Sequence, residues 1–128
     1  MTIAEMQKQI FNTAVKHGWW PMKIVGGDEN FGPDYDIDVE KVNIPEKIAL
    51  MHSELSEALE FFRTDQIVTF ASGDSNKPKP DGFWIELADC MIRILDLAEA
   101  YGEDMEQLIE LKMKYNETRA YKHGGKRC

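Results

Sequence analysis

Two pairs of acids stand at i,i+3 spacing in this 128-residue chain: Glu54 with Glu57, and Glu86 with Asp89. On a helix this spacing puts both carboxylates of a pair over adjacent turns of one face, where they can grip one cation together. Both pairs sit among apolar neighbours. Leu50 and Phe61 share the arc of the first pair, and the stretch WIELADCMIRILDLA (84–98) holds the second. Read as a helix, that stretch confines Glu86, Asp89, Arg93 and Asp96 to an arc of about 80°, with apolar residues on every other side. A helix so apolar belongs inside a bundle, and carboxylates there require cationic partners or a metal ion.

If the two acid-bearing helices lie side by side, all four carboxylates converge, and a divalent metal relieves their repulsion. An all-carboxylate donor set favours Mg²⁺, with Mn²⁺ as its substitute. Zinc would ask for His or Cys, and a di-iron bundle for a His where this chain has Glu57 and Asp89. On the last helix Lys112, Asn116 and Arg119 continue the inner face defined by Met105, Leu108, Ile109 and Tyr115, and they offer charge-assisted hydrogen bonds to phosphate oxygens. Acids, metal and basic face describe a polyphosphate site in which a carboxylate orients or deprotonates water. Lys122 and Lys126 are further phosphate-binding candidates, and Trp19, Trp20, Phe61 and Trp84 are candidates for stacking on a base. The competing reading of the same acids is structural: Arg93 stands at ion-pairing distance along the helix from both Asp89 and Asp96, as on many helix surfaces.

The elements that must position these residues follow from caps and periodicity. Thr2 and Glu5 form a capping box for a first helix over 2–17, ended by Gly18. Residues 21–45 are rich in Gly and Asp, show no sustained period and read as an irregular loop. Its Asp34, Asp36 and Asp38 imitate the start of a calcium loop, but Val39 and Pro45 occupy the positions of the turn glycine and the closing glutamate. Pro45 opens a second helix to Arg63, with Ile48, Met51, Leu55, Leu59 and Phe62 as its main apolar stripe. Residues 64–80 form another irregular connection, in which Ile67–Ala71 reads as either a brief strand or a helix extension. The third helix stops at Gly102, Asp104 caps a last helix to about Ala120, and 122–128 is a basic tail. The pattern predicts a single domain over 1–128 that is all-α, a four-to-five-helix bundle.

Composition bounds the partners. The formal net charge of −8 argues against a nucleic acid polymer, and no apolar run approaches the roughly 20 residues of a membrane helix. Cys90 and Cys128 read as free thiols, and the chain as cytoplasmic.

Glu54-x-x-Glu57 followed by Glu86-x-x-Asp89 resembles the metal-binding signature of the all-alpha nucleoside triphosphate pyrophosphatases, the MazG-like superfamily. ALMHSELSEALEFFR, ELADCMIRILDLA, KMKYNETRAYKHGGK and the GWW after the first helix are similar to its phage and bacterial branch. The resemblance implies an enzyme, a Mg²⁺-dependent hydrolase that cleaves a nucleoside triphosphate between the α and β phosphates to a monophosphate and pyrophosphate. Glu54, Glu57, Glu86 and Asp89 would be its metal ligands and catalytic acids, and a homodimer or dimer of dimers its assembly. Two alternatives stand beside it: hydrolysis of a phosphoribosyl nucleotide, and a non-catalytic helical binding or regulatory module whose acids make structural ion pairs.

Overall fold

Three polar side chains set where the long helices begin. Thr2 Oγ1 accepts from the Glu5 backbone N–H at 3.1 Å while the Thr2 N–H donates to Glu5 Oε2 at 3.2 Å, a complete capping box that opens α1 (Ile3–Lys16). Asn43 Oδ1 accepts from the Glu46 N–H at 3.0 Å and opens α2 (Ile44–Arg63), with Pro45 in its first turn, where a missing N–H costs nothing. Asp104 Oδ1 accepts from the Gln107 N–H at 3.2 Å and opens α4 (Met105–Glu117). The fourth long helix, α3 (Phe83–Ala100), starts instead at Gly82, whose φ of 116° lies in a region that favours glycine. A Cβ there would collide with the Val68 carbonyl oxygen.

The computed structural model describes residues 1–127, the His123 side chain excepted, so the reading of Cys128 lies outside it. It corrects the all-α expectation. Residues 21–45 are not an irregular loop: β1 (Met22–Asp28) and β2 (Gly32–Ile37) pair antiparallel from Met22↔Ile37 to Asp28↔Gly32, with a bulge between Ile24 and Gly26. The calcium-like Asp34 and Asp36 lie on β2, and Asp38 precedes a single 3-10 turn at Val39–Lys41. The 64–80 connection is likewise built of strands, β3 (Thr69–Ser72) and β4 (Lys79–Gly82), which form a second antiparallel sheet. In the basic tail, Lys122–Gly125 forms a last helical turn, α5. The fold is mixed: two separate two-stranded sheets flank a helical body.

That body is α3 packed against α2 on one side and α1 on the other. Its small core comprises Met51 and Ala58 of α2, Cys90, Leu95 and Ala98 of α3, and Trp20 and Ile37 from the connections. Two polar clamps close it. Gln7, 3% exposed, donates through Nε2 to Glu99 Oε2 at 2.7 Å and to the Glu103 carbonyl at 2.6 Å, while its Oε1 accepts from the Met105 N–H, so one side chain ties α1, α3 and the start of α4. Trp20 donates from Nε1 to Asp96 Oδ1 at 2.9 Å, with Lys47 Nζ 4.2 Å from its ring centroid. Among the described residues every buried side-chain polar atom has a partner. Cys90 is a buried free thiol. No described helix is long and apolar enough to cross a membrane.

Candidate metal centre

The α2–α3 contact brings three of the four sequence-predicted acids together. Glu54, Glu57 and Glu86 each present a carboxylate oxygen, and these atoms all lie within 4.8 Å of one another. Glu54 and Glu86 are buried at 8% and 7% exposure, and Glu57 faces solvent at the rim. Periodicity explains the asymmetry: Glu54 shares the inner face of α2 with Met51 and Ala58, three positions back and four ahead, whereas Glu57 is turned toward the edge of the helix pair. Asp89 is half-buried and lies outside this trio. With Glu54 and Arg93 it lines a second cleft, between α1, α2 and α3.

The electrostatics follow from crowding acids where water is thin. Arg93 donates from Nε to Glu54 Oε1 at 2.7 Å, a pair bridging α3 to α2. Burial works to raise the Glu54 pKa, but the Arg93 hydrogen bond and charge, aided by hydrogen bonding with Glu86 and Glu57, carry it below its ordinary value. Glu86 has no such cation. Burial, then hydrogen bonding to the Glu57 and Glu54 carboxylates and their negative charge, push it up to about 8. Near neutral pH the Glu86 carboxyl therefore holds a proton shared toward its two neighbours, and a cation can take that proton's place. Asp89 is raised by burial and by Glu54, against the pull of Arg93 and Lys79. Asp96 is raised by burial, against the Trp20 hydrogen bond and the charges of Lys47 and Arg93.

Two of the trio, Glu57 and Glu86, open onto a cleft of about 460 Å³ lined also by Glu60, Phe61, Thr64, Lys79 and Asp81, among others. Two of these, Lys79 and Asp81, belong to the second hairpin, and they were not anticipated because residues 64–80 read as irregular. Phe61 stands in the cleft wall with its ring centroid 6.0 Å from that of Phe70, so the hairpin rests on it edge-on.

The remaining sequence-predicted residues are scattered. Lys112, Asn116 and Arg119 do not form an inner face: α4 has no buried residue and packs mainly on α1, and Lys112 of α4 and Arg119 just beyond its end lie over the Tyr115 ring, at 4.7 Å and 5.7 Å. Neither they nor Lys122 and Lys126 line the acid cleft. Of the stacking candidates, Trp20 is buried by its bond to Asp96, Trp19 borders the second cleft, and Trp84 stands 57% exposed beside Phe83. Arg93 does not satisfy Asp89 and Asp96 along its own helix; it reaches across to Glu54.

The hydrolase reading is thereby corrected. Two β-hairpins replace the loops of the expected all-α architecture, the basic face is not delivered to the acids, and no catalytic constellation forms among the described residues. What the geometry contains is a partly buried carboxylate trio able to hold a divalent cation, braced by an interhelical ion pair. Comparison with protein-family models, with curated proteins and with solved structures returns no match, so the MazG-like resemblance has no support from them.

Proposed function

We propose that this protein is a non-catalytic, divalent-cation-binding module in which Mg²⁺, or Mn²⁺ in its place, joins α2 to α3 through Glu54, Glu57 and Glu86. The observation that carries the reading is the trio itself: three oxygen donors on two helices within 4.8 Å, one pushed up to about 8 for want of a cation. Hard carboxylate oxygens suit Mg²⁺, Mn²⁺ or Ca²⁺ over softer metals, and three protein ligands leave room for the waters that Mg²⁺ keeps. Arg93 cannot serve in the metal's stead, because Glu54 already engages it. The cation would give α2 and α3 a second cross-link beside that ion pair, so that metal availability sets how firmly the two helices are held.

Calorimetric titration with MgCl₂ and MnCl₂ tests this. One site per chain is expected, with protons released at pH 7 as Glu86 ionises, and with binding lost in Glu57→Gln and Glu86→Gln. At a free metal concentration of 100 times Kd the stability gain should reach about 2.7 kcal/mol. Absence of saturable binding in the wild-type chain would sink the reading. So would pyrophosphate release from any of a panel of nucleoside triphosphates incubated with the protein and Mg²⁺.

A further inference from the structure

α1 and α2 each pack on α3, and the cleft that all three line is a groove of about 800 Å³, larger than the one beside the acid trio. Asp89, Ile92, Arg93 and Asp96 recur along α3 at i, i+3, i+4 and i+7, so the later part of that helix's polar stripe faces this groove. Ile10 of α1, Leu50 of α2 and Ile92 of α3 give it apolar surface, and the Trp19 indole, 70% exposed, borders it. A cleft of this size with apolar walls and a few polar groups suits a small organic molecule.

Its charges select the kind of molecule. Four carboxylates, Glu46, Glu54, Asp89 and Asp96, line the groove against two cations, Lys47 and Arg93. Both cations are engaged: Arg93 Nε donates to Glu54 Oε1 at 2.7 Å, and Lys47 Nζ lies 4.2 Å from the Trp20 ring centroid. Asp96 accepts from Trp20 Nε1, and Glu46 is exposed on the first turn of α2. Asp89 is the exception. It is half-buried, yet among the described residues it accepts no hydrogen bond and makes no ion pair. A carboxylate drawn partly out of water without a donor is costly, and a cationic ligand would relieve it. A metal ion is the poorer answer, because the carboxylates that converge closely enough to hold one are Glu54, Glu57 and Glu86. An anion would meet the excess of acids.

We infer that the groove binds a small organic amine, with its ammonium group on the Asp89 carboxylate and its apolar body between Leu50 and Ile92, bordered by Trp19. The ammonium supplies both the donors and the charge that Asp89 lacks, and the body covers apolar surface now facing water. Trp19 adds a ring face to which a cation is attracted. The inference does not rest on the divalent-cation reading. Glu54 borders both sites, but Asp89 lies outside the trio.

Titration of the full chain with phenethylamine and with hexylamine, in chelator at pH 7, tests it by calorimetry and tryptophan fluorescence. One amine per chain is expected to bind saturably. Phenethyl alcohol, which keeps the ring and loses the charge, should bind about tenfold more weakly or worse, the worth of one charge-assisted hydrogen bond, and hydrocinnamate should not bind. Asp89→Asn should weaken the amine by about the same factor, and Trp19→Ala should weaken it and reduce the fluorescence change. Saturating Mg²⁺ should leave the amine bound. Equal affinity for amine and alcohol overturns the inference, as does failure of both amines to saturate at millimolar concentration, or an Asp89→Asn chain with native circular dichroism that binds as the wild type does. Displacement of the amine by Mg²⁺ also overturns it, because the amine would then occupy the acid trio. If Asp89→Asn loses its helical signal, the alcohol comparison and Trp19→Ala decide. A chain that binds the amine but no Mg²⁺ sinks the divalent-cation reading and leaves this one standing.

Discussion

The α2–α3 contact and the β1–β2 hairpin both carry clustered acids, yet they treat them oppositely. In the helix pair, Glu54 and Glu86 are buried, one neutralised by Arg93 and the other held protonated near neutral pH. On the hairpin Asp28, Asp34 and Asp36 stand in solvent and need no partner within the chain. The difference is desolvation. A carboxylate removed from water must find a cation or keep its proton, so the buried acids acquire defined chemistry while the exposed ones contribute only a field.

Arg93→Ala should break the contrast most severely, since it leaves Glu54 charged and unpaired beside Glu57. We expect a loss of about 2–3 kcal/mol in urea unfolding without metal, discounted from the full cost of a buried pair because Arg93 is partly exposed. Saturating Mg²⁺ should recover part of that loss. Gly82→Ala should cost about 2 kcal/mol, since its positive φ and the Val68 carbonyl both oppose a side chain, and it should weaken Mg²⁺ binding by moving Glu86 one turn away.

The pH dependence sharpens the same point. Glu86 stays protonated in the folded chain up to about pH 8, whereas unfolded it ionises near 4.5. Between those values the folded state binds more protons, so metal-free stability should fall as pH rises through that window, and Glu86→Gln should flatten the fall. Thermal melts at pH 5, 6, 7 and 8 with chelator check the slope; added Mg²⁺ should oppose it, because metal binding requires the ionised form. Trp20→Phe, which orphans Asp96, should cost about 1–2 kcal/mol. At the other extreme, Phe31→Ser on the hairpin should change stability by no more than about 0.5 kcal/mol, read in the same urea titration.

Much of the helical frame was legible because it is written locally. Thr2 with Glu5, Pro45, Gly102 and Asp104 mark helix ends within a few residues of where they act. The hairpins were not, and their residues show why. With β1 exposed on both faces there is no inward–outward alternation to read, and the bulge between Ile24 and Gly26 breaks what period remains. In the second hairpin, Ile67–Ala71 reads as either a brief strand or a helix extension; it overlaps β3, but β3 and β4 are four residues each, too short for a period to decide between the two. The basic residues of α4 were assigned to an inner face on helical phase alone, but phase states which side chains point together and not what they point at.

By itself the sequence determined the i,i+3 acid pairs, the caps that place them on helices, and the apolar surroundings that make their charge costly, since all three depend on residues within a few turns of each other. Tertiary structure decided the rest. It joined Glu86 to Glu54 and Glu57 while leaving Asp89 out of that cluster, and gave Arg93 to Glu54 rather than to its helical neighbours. It also set Lys79 at the mouth of the site and left the basic face of α4 to solvent. These are contacts between segments 20 or more residues apart, fixed by the relative rotation and packing of whole elements, which no local spacing encodes.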